Sequence, residues 1–242
     1  MASGRAGCGA LVGGARLTPS DLPGGPAAGE GAEVRPPRLH VIDFEGHPRY
    51  GVVEYGVVTL EAQGIVAVET ALCAATGEIP PADTRVHGID QALGANRAPF
   101  ADCYGRFVEL RRTGLFCAHN AIVEHGLLKA TWAFPPYVPD WSRPGTEVAD
   151  WGPWLDTLHL ARTQEGPGGN GCSLEALTYG GPLREEVEAL AAEYCASPRN
   201  RPHCALFDAL ATALWLQRCV GVSEALDWFA RVSAGSAQGE LF

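Results

Sequence analysis

From Leu39 onward the apolar positions crowd into short, β-branched runs, Leu39 to Phe44, Val52 to Leu60 and Gly64 to Leu72, separated by turns that contain Gly or Pro. Such runs predict three consecutive paired strands. The first run is mostly apolar on both faces, as expected of a central strand. The period then lengthens. Helical spacing is predicted from about Pro99 to Arg112, a short strand from Leu115 to Ala118, and a second helix from about Asn120 to Trp132. Five prolines between Phe134 and Pro153 read as a loop, and Trp154 to Leu160 as a strand running into a helix. Helices around Ser173 to Tyr179, Leu183 to Tyr194 and Pro202 to Val220 complete the pattern. Strands first and helices interleaved later predict an α/β domain, one mixed sheet covered by helices.

The two ends look different. Residues 1–38 are rich in Gly, Ala and Pro and too poor in large apolar side chains to offset ordering entropy, which predicts disorder. Arg5 and Arg16 give this segment a faint presequence character, interrupted by Asp21 and Glu30. The folded domain is expected over residues 39–221. Residues 222–242 are expected to form a short amphipathic helix near Glu224 to Val232 and a flexible tail from Ser233.

At 242 residues and 46% apolar, the chain suits one medium domain with appendages. A formal charge of −10 has the wrong sign for a protein that grips nucleic acid mainly by counterion release. No apolar run approaches the ~18 residues of a membrane helix. The eight cysteines form no C-x-x-C pair and no zinc-ligand spacing, so reduced buried thiols and a cytoplasmic location, with no membrane partner, are expected.

Against this background a few acids stand out. The first strand ends in Asp43-Phe44-Glu45-Gly46, and alternation puts Asp43 and Glu45 on one face. At ~3.3 Å per residue their Cα atoms lie roughly 6 to 7 Å apart, within reach of one metal centre or a pair. Taken alone, this spacing is a weak signal and favours the plain alternative, a Glu45 that turns to solvent in the following loop. A second acid follows Cys117-Ala118-His119-Asn120, where a strand gives way to a helix with Asn120 as N-cap. Glu124 shares a helical face with Leu127 and Leu128 and is expected to point inward. Its plain alternative is a surface carboxylate favoured by the positive end of the helix. The third group is Arg201-Pro202-His203-Cys204-Ala205-Leu206-Phe207-Asp208. Pro202 is expected in the first helical turn, with His203 at the mouth and Asp208 inside. Ala205, Asp208, Ala209 and Thr212 form a small-residue stripe suited to close packing. His203, set among acids, is a candidate general base, whereas Cys204 lacks the third member a thiol enzyme needs.

Together, Asp43-x-Glu45, His119-Asn120-Ala121-x-x-Glu124 and His203-x-Ala205-x-x-Asp208 resemble, in order and spacing, the three motifs of the DEDDh (DnaQ-like) 3′-to-5′ exonucleases. Val53-Glu54-Tyr55-Gly56-Val57-Val58, Val86-His87-Gly88-Ile89, Asp156-Thr157-Leu158 and Ser173-Leu174 resemble further landmarks of that family. One position departs: the second motif normally carries Asp where Glu124 stands. The resemblance implies an RNase H-like fold, a five-stranded mixed sheet with one antiparallel strand flanked by helices. It also implies two Mg²⁺ or Mn²⁺ ions held by Asp43, Glu45, Glu124 and Asp208, with His203 as base. The product would be a nucleoside 5′-monophosphate, and the substrate single-stranded or frayed DNA 3′ ends, or RNA. Phe44, Gly46, His47 and Asn120 are candidate contacts to the terminal nucleotide, with packing an equal alternative for Phe44, and Asp156 reads as a structural cap. At the C-terminus Gln238-x-x-Leu241-Phe242 resembles the pentapeptide with which bacterial repair proteins dock on the sliding clamp. A catalytically silent binding module is the alternative from another class.

Overall fold

The computed structural model describes residues 38–165 and 171–239. The N-terminal segment expected to be disordered lies outside the described residues but for Arg38, which begins a strand. In chain order the elements are β1 (Arg38–His47), β2 (Gly51–Glu61), β3 (Gly64–Leu72), α1 (Pro81–His87), α2 (Gln91–Gly94), a 3₁₀ turn (Phe100–Cys103), α3 (Tyr104–Thr113), β4 (Gly114–Ala118) and α4 (Ala121–Thr131). There follow the two-residue pair β5 (Val138–Pro139) and β6 (Glu147–Val148), then β7 (Trp154–Asp156), α5 (Thr157–Glu165), α6 (Leu174–Leu177), α7 (Arg184–Tyr194), α8 (Ala205–Trp215), a π-helical turn (Leu216–Val220) and α9 (Val222–Gly239).

The main sheet has the order β3-β2-β1-β4-β7. β2 runs antiparallel to both of its neighbours, while β1, β4 and β7 are parallel, so the expected five-stranded mixed sheet with one antiparallel strand is present. β1 is central, which accounts for its apolar residues on both faces. Leu39 and Val41 join Val58, Leu115 and the helices α7 and α8 in one core. Ile42 and Phe44 turn the other way, into a second core with Phe100, Phe107, Leu127 and Trp151. Alternation therefore continues the α8 side of the sheet through Asp43 and Glu45.

α8 is buried along its whole length and lies tightly on the sheet. The closeness depends on Gly56 of β2, the register partner of Asp43. A Cβ at Gly56 would fall 2.5 Å from the backbone of Ala205 and Leu206. Burial explains the apolar character of this helix; among the described residues no single helix is long and apolar enough to cross a membrane.

Three local features differ from expectation. The helices α1 and α2 were not apparent from spacing. α8 begins at Ala205, so Pro202 and His203 belong to the preceding loop instead of the first turn. The residues expected to form a flexible linker from Ser233 continue α9 through Gly239. The proline-rich stretch is a loop as expected, fixed by an unforeseen residue. Arg111, fully buried on α3, donates to the carbonyls of Pro139, Trp151 and Gly152.

Candidate active site

Four acids from three separated elements meet at the C-terminal end of β1. Asp43 and Glu45 come from the strand, Glu124 from the first turn of α4 and Asp208 from the first turn of α8. Glu124 and Asp208 are 5% and 7% exposed, so the inward orientation expected of both is found. Ligand atoms of Glu45, His203 and Asp208 lie within 4.8 Å of one another. Asp43 and Glu124 share the same field, since each is perturbed by Asp208 and Glu45.

The electrostatics are unfavourable for four bare anions. Burial, then Glu124, Asp208 and Glu45, hold the Asp43 carboxyl well above the usual range. Burial, then Glu45 and Asp208, do the same to Glu124. Burial and Asp208 push Glu45 up to about 8, with Arg199 and Arg201 pulling against them. Asp208 is raised to about 7, mainly by burial, although a hydrogen bond from the His203 backbone opposes the shift. Glu124 Oε2 and Asp208 Oδ1 are buried without a hydrogen-bond partner. Buried carboxylate oxygens of this kind are costly unless a cation meets them. Hard oxygen donors plus an imidazole suit Mg²⁺ or Mn²⁺, so the residues present fit a divalent-cation site.

Two further carboxylates, each with a full set of partners, hold the acids in place. Asp156, at the end of β7, accepts the backbone N–H groups of Asn120 (3.2 Å), Ala121 (3.1 Å), Leu158 (2.9 Å) and His159 (3.2 Å). It thereby caps α4 and α5 together. Asn120 occupies the N-cap position of α4 but in the left-handed conformation (φ 71°), with no side-chain capping bond. The cap expected of Asn120 is thus supplied by Asp156, and Asn120 contributes backbone. His119 adds a tie to α5 through Nδ1 and the Thr157 hydroxyl (3.0 Å).

The second is Glu54 on β2, 3% exposed. Its carboxylate accepts from Nε and Nη2 of the Arg199 guanidinium and from the N–H of Ala205, the first residue of α8, the last at 2.8 Å. Arg199 also donates to the His87 carbonyl. The pair thus ties the loop before α8 to β2 and to the end of α1. His203 sits in that loop at φ 59°, exposed, its backbone N–H donating to Asp208 Oδ2 at 3.0 Å. In the sequence Glu54 figures only as part of the second-strand landmark, with no role of its own, and Arg199 was not singled out. The signal that could have found Glu54 is a lone acid within the apolar run Val52 to Leu60.

The other candidates are placed as follows. Phe44 turns away from the acids and packs on Phe100 and Phe107 at centroid distances of 5.2 and 5.6 Å, the packing alternative. Gly46 lies at the β1–β2 bulge, where a Cβ would fall 2.4 Å from the Gly51 carbonyl oxygen. His47 is half-buried and stacked on Tyr50. Gln238 lies near the end of α9, while Leu241 and Phe242 are outside the described residues. Cys204 is buried and its thiol is pushed up to about 11 by that burial, the opposite of an activated nucleophile. Among the described residues the cysteines are free thiols, mostly buried as expected, with Cys219 exposed.

No family model matches the chain and no curated protein matches it. Solved structures do. Exonuclease X in complex with 5′ overhanging duplex DNA is 20% identical, with 79% of this chain and 99% of that chain covered at a TM-score of 0.52. The nuclease domain of 3′hExo, a DEDDh family member, bound to rAMP, is 16% identical over 77% of this chain and 93% of that one, at 0.52. A 3′-exonuclease described in 3′-end specific recognition of histone mRNA stem-loop is 15% identical over 77% and 82%, at 0.53. These likenesses show the fold: the chain has the RNase H-like architecture of these exonuclease structures.

Proposed function

We propose that the protein is a divalent-cation-dependent 3′-to-5′ exonuclease that releases nucleoside 5′-monophosphates from nucleic-acid 3′ ends. The observation that carries this reading is the convergence of Asp43, Glu45, Glu124 and Asp208 with two buried, unpartnered carboxylate oxygens. Two Mg²⁺ or Mn²⁺ ions would be held by these four side chains. When bound, they supply Lewis-acid stabilisation of the charge that develops on the phosphate oxygens and acidify water.

The protein's own groups complete the chemistry. His203, exposed at the mouth of the cluster, takes the proton from the attacking water on a ring nitrogen and passes it to solvent. Its backbone bond to Asp208 couples the base to the acid it serves. Glu124, one methylene longer than the family's usual Asp, reaches the same centre from α4.

DNA is the preferred substrate reading, with single-stranded or frayed ends; RNA remains the rival because the 2′-hydroxyl is read by groups outside the acid cluster. Matched DNA and RNA oligomers digested side by side in Mn²⁺ test both, with Asp43→Ala as control. The expected result is mononucleotide release by wild type and none by the variant. Wild-type protein that frees no mononucleotide from any end structure overturns the reading in favour of a silent binding module.

A further inference from the structure

Arg199 and Arg201 stand two residues apart in the loop before α8, and both act on Glu45 at the mouth of the acid cluster. Their surroundings are opposite. The Arg199 side chain is 15% exposed and spends its donors on Glu54 and the His87 carbonyl. Arg201 is exposed, and its hydrogen bonds are two long ones from Nη1, to the carbonyls of Val86 (3.4 Å) and Pro202 (3.2 Å). A guanidinium carries five N–H donors, so Nε and Nη2 retain donors to spare.

Arg201 is nevertheless seated. Its Nη2 lies over Gly88, the left-handed cap of α1 (φ 73°), where a Cβ would come within 2.4 Å of it. A glycine at this cap satisfies the backbone conformation and leaves room for the guanidinium. The loop therefore presents a positioned planar cation with unspent donors beside a cluster of acids, in a chain of net charge −10. Here such a group matches an anion that approaches the acids from solvent, and forked N–H donors match the oxygens of a phosphate.

We infer that Arg201 binds a backbone phosphate of the nucleic-acid strand whose 3′ end enters the acid cluster. This rests on the exonuclease reading and adds to it a substrate-binding residue. Arg199 organises the loop, and Arg201 holds the strand against the repulsion of the acids.

The test is binding of a short 5′-labelled single-stranded oligodeoxynucleotide to the full chain, in Ca²⁺ to hold back hydrolysis, across a series of salt concentrations. Arg201→Gln should weaken binding about tenfold and flatten the slope of log affinity against log salt by about 0.7, the share of one phosphate contact on a single strand. Arg201→Lys, which keeps the charge but not the fork, should retain the slope while recovering only part of the affinity. Arg218→Gln, in the π-helical turn that follows α8 and about 20 Å of helix away, is the control and should bind as wild type. In Mn²⁺ the loss should fall mainly on KM, with unchanged thermal melting. If wild type binds and Arg201→Gln matches Arg218→Gln in affinity and slope, the inference is overturned while the exonuclease reading stands. If wild type neither binds nor hydrolyses any oligomer, both fall.

Discussion

Two groups of carboxylates, buried or half-buried, are treated in opposite ways in this protein. Glu54 has a guanidinium and a helix N–H as partners, and Asp156 has four backbone N–H groups. Asp43, Glu45, Glu124 and Asp208 are gathered against one another, with one oxygen each of the buried Glu124 and Asp208 left unpaired. A buried charge persists in a native fold only if something offsets its desolvation. In the first group the offset comes from the chain. In the second it must come from outside, so satisfied acids mark scaffold and unsatisfied ones mark chemistry.

The sharpest way to break this contrast is to remove a partner from the satisfied group. Glu54→Gln leaves the Arg199 guanidinium largely buried without its counter-charge, and loss of one partner of such a pair costs about 3 to 5 kcal/mol. Urea unfolding should show that loss, whereas Glu124→Gln, which removes an unsatisfied charge, should leave the metal-free protein as stable as wild type or more so. Equal destabilisation by both would erase the distinction.

The second prediction concerns pH and cations. Glu45 moves from an ordinary 4.5 to about 8 and Asp208 from 3.8 to about 7 on folding. With folded values raised, the native state binds more protons than the unfolded one in this window. Stability is therefore fully present below the unfolded values and is lost as pH rises through the folded ones. The metal-free protein should melt at lower temperature at pH 8 than at pH 5. Mn²⁺ should restore the loss, by about 2.7 kcal/mol at a hundred times its Kd. A melting temperature insensitive to Mn²⁺ at pH 8 would count against a cation site.

Smaller effects follow from geometry. Gly56→Ala puts a methyl against the backbone of Ala205 and Leu206, and forcing α8 off the sheet should cost about 1 to 3 kcal/mol in denaturant unfolding. It should lower turnover by more than its stability loss explains, because Asp208 moves with the helix. Smallest of all, Glu124→Asp should keep turnover within about tenfold, some 1.4 kcal/mol of barrier. A much larger loss would show that the extra methylene is built into the site.

Much of the fold could be read from the chain because its signals are local. The two-faced apolar run of β1 marked it as the central strand, and alternation put Asp43 and Glu45 on one side before any contact was known. Glu124 was legible from its spacing to Leu127 and Leu128. What escaped was long-range: Glu54 and Arg199 are 145 positions apart, and nothing in either neighbourhood announces the other. The same contact explains the misplaced start of α8. Pro202 favours a first helical turn locally, but the Ala205 N–H is met by Glu54 and the His203 N–H by Asp208, which fixes the start at Ala205, beyond the proline. The short helices α1 and α2 span too few turns to show a period.

Asp156 carries one last consequence. Glu124 is aimed by a side chain from a different strand, later in the sequence, that also pins the start of α5. The segment bearing Glu124 is accordingly not a portable cassette. Grafted into a designed scaffold without its distant clasp, the same residues would keep their order and lose their aim.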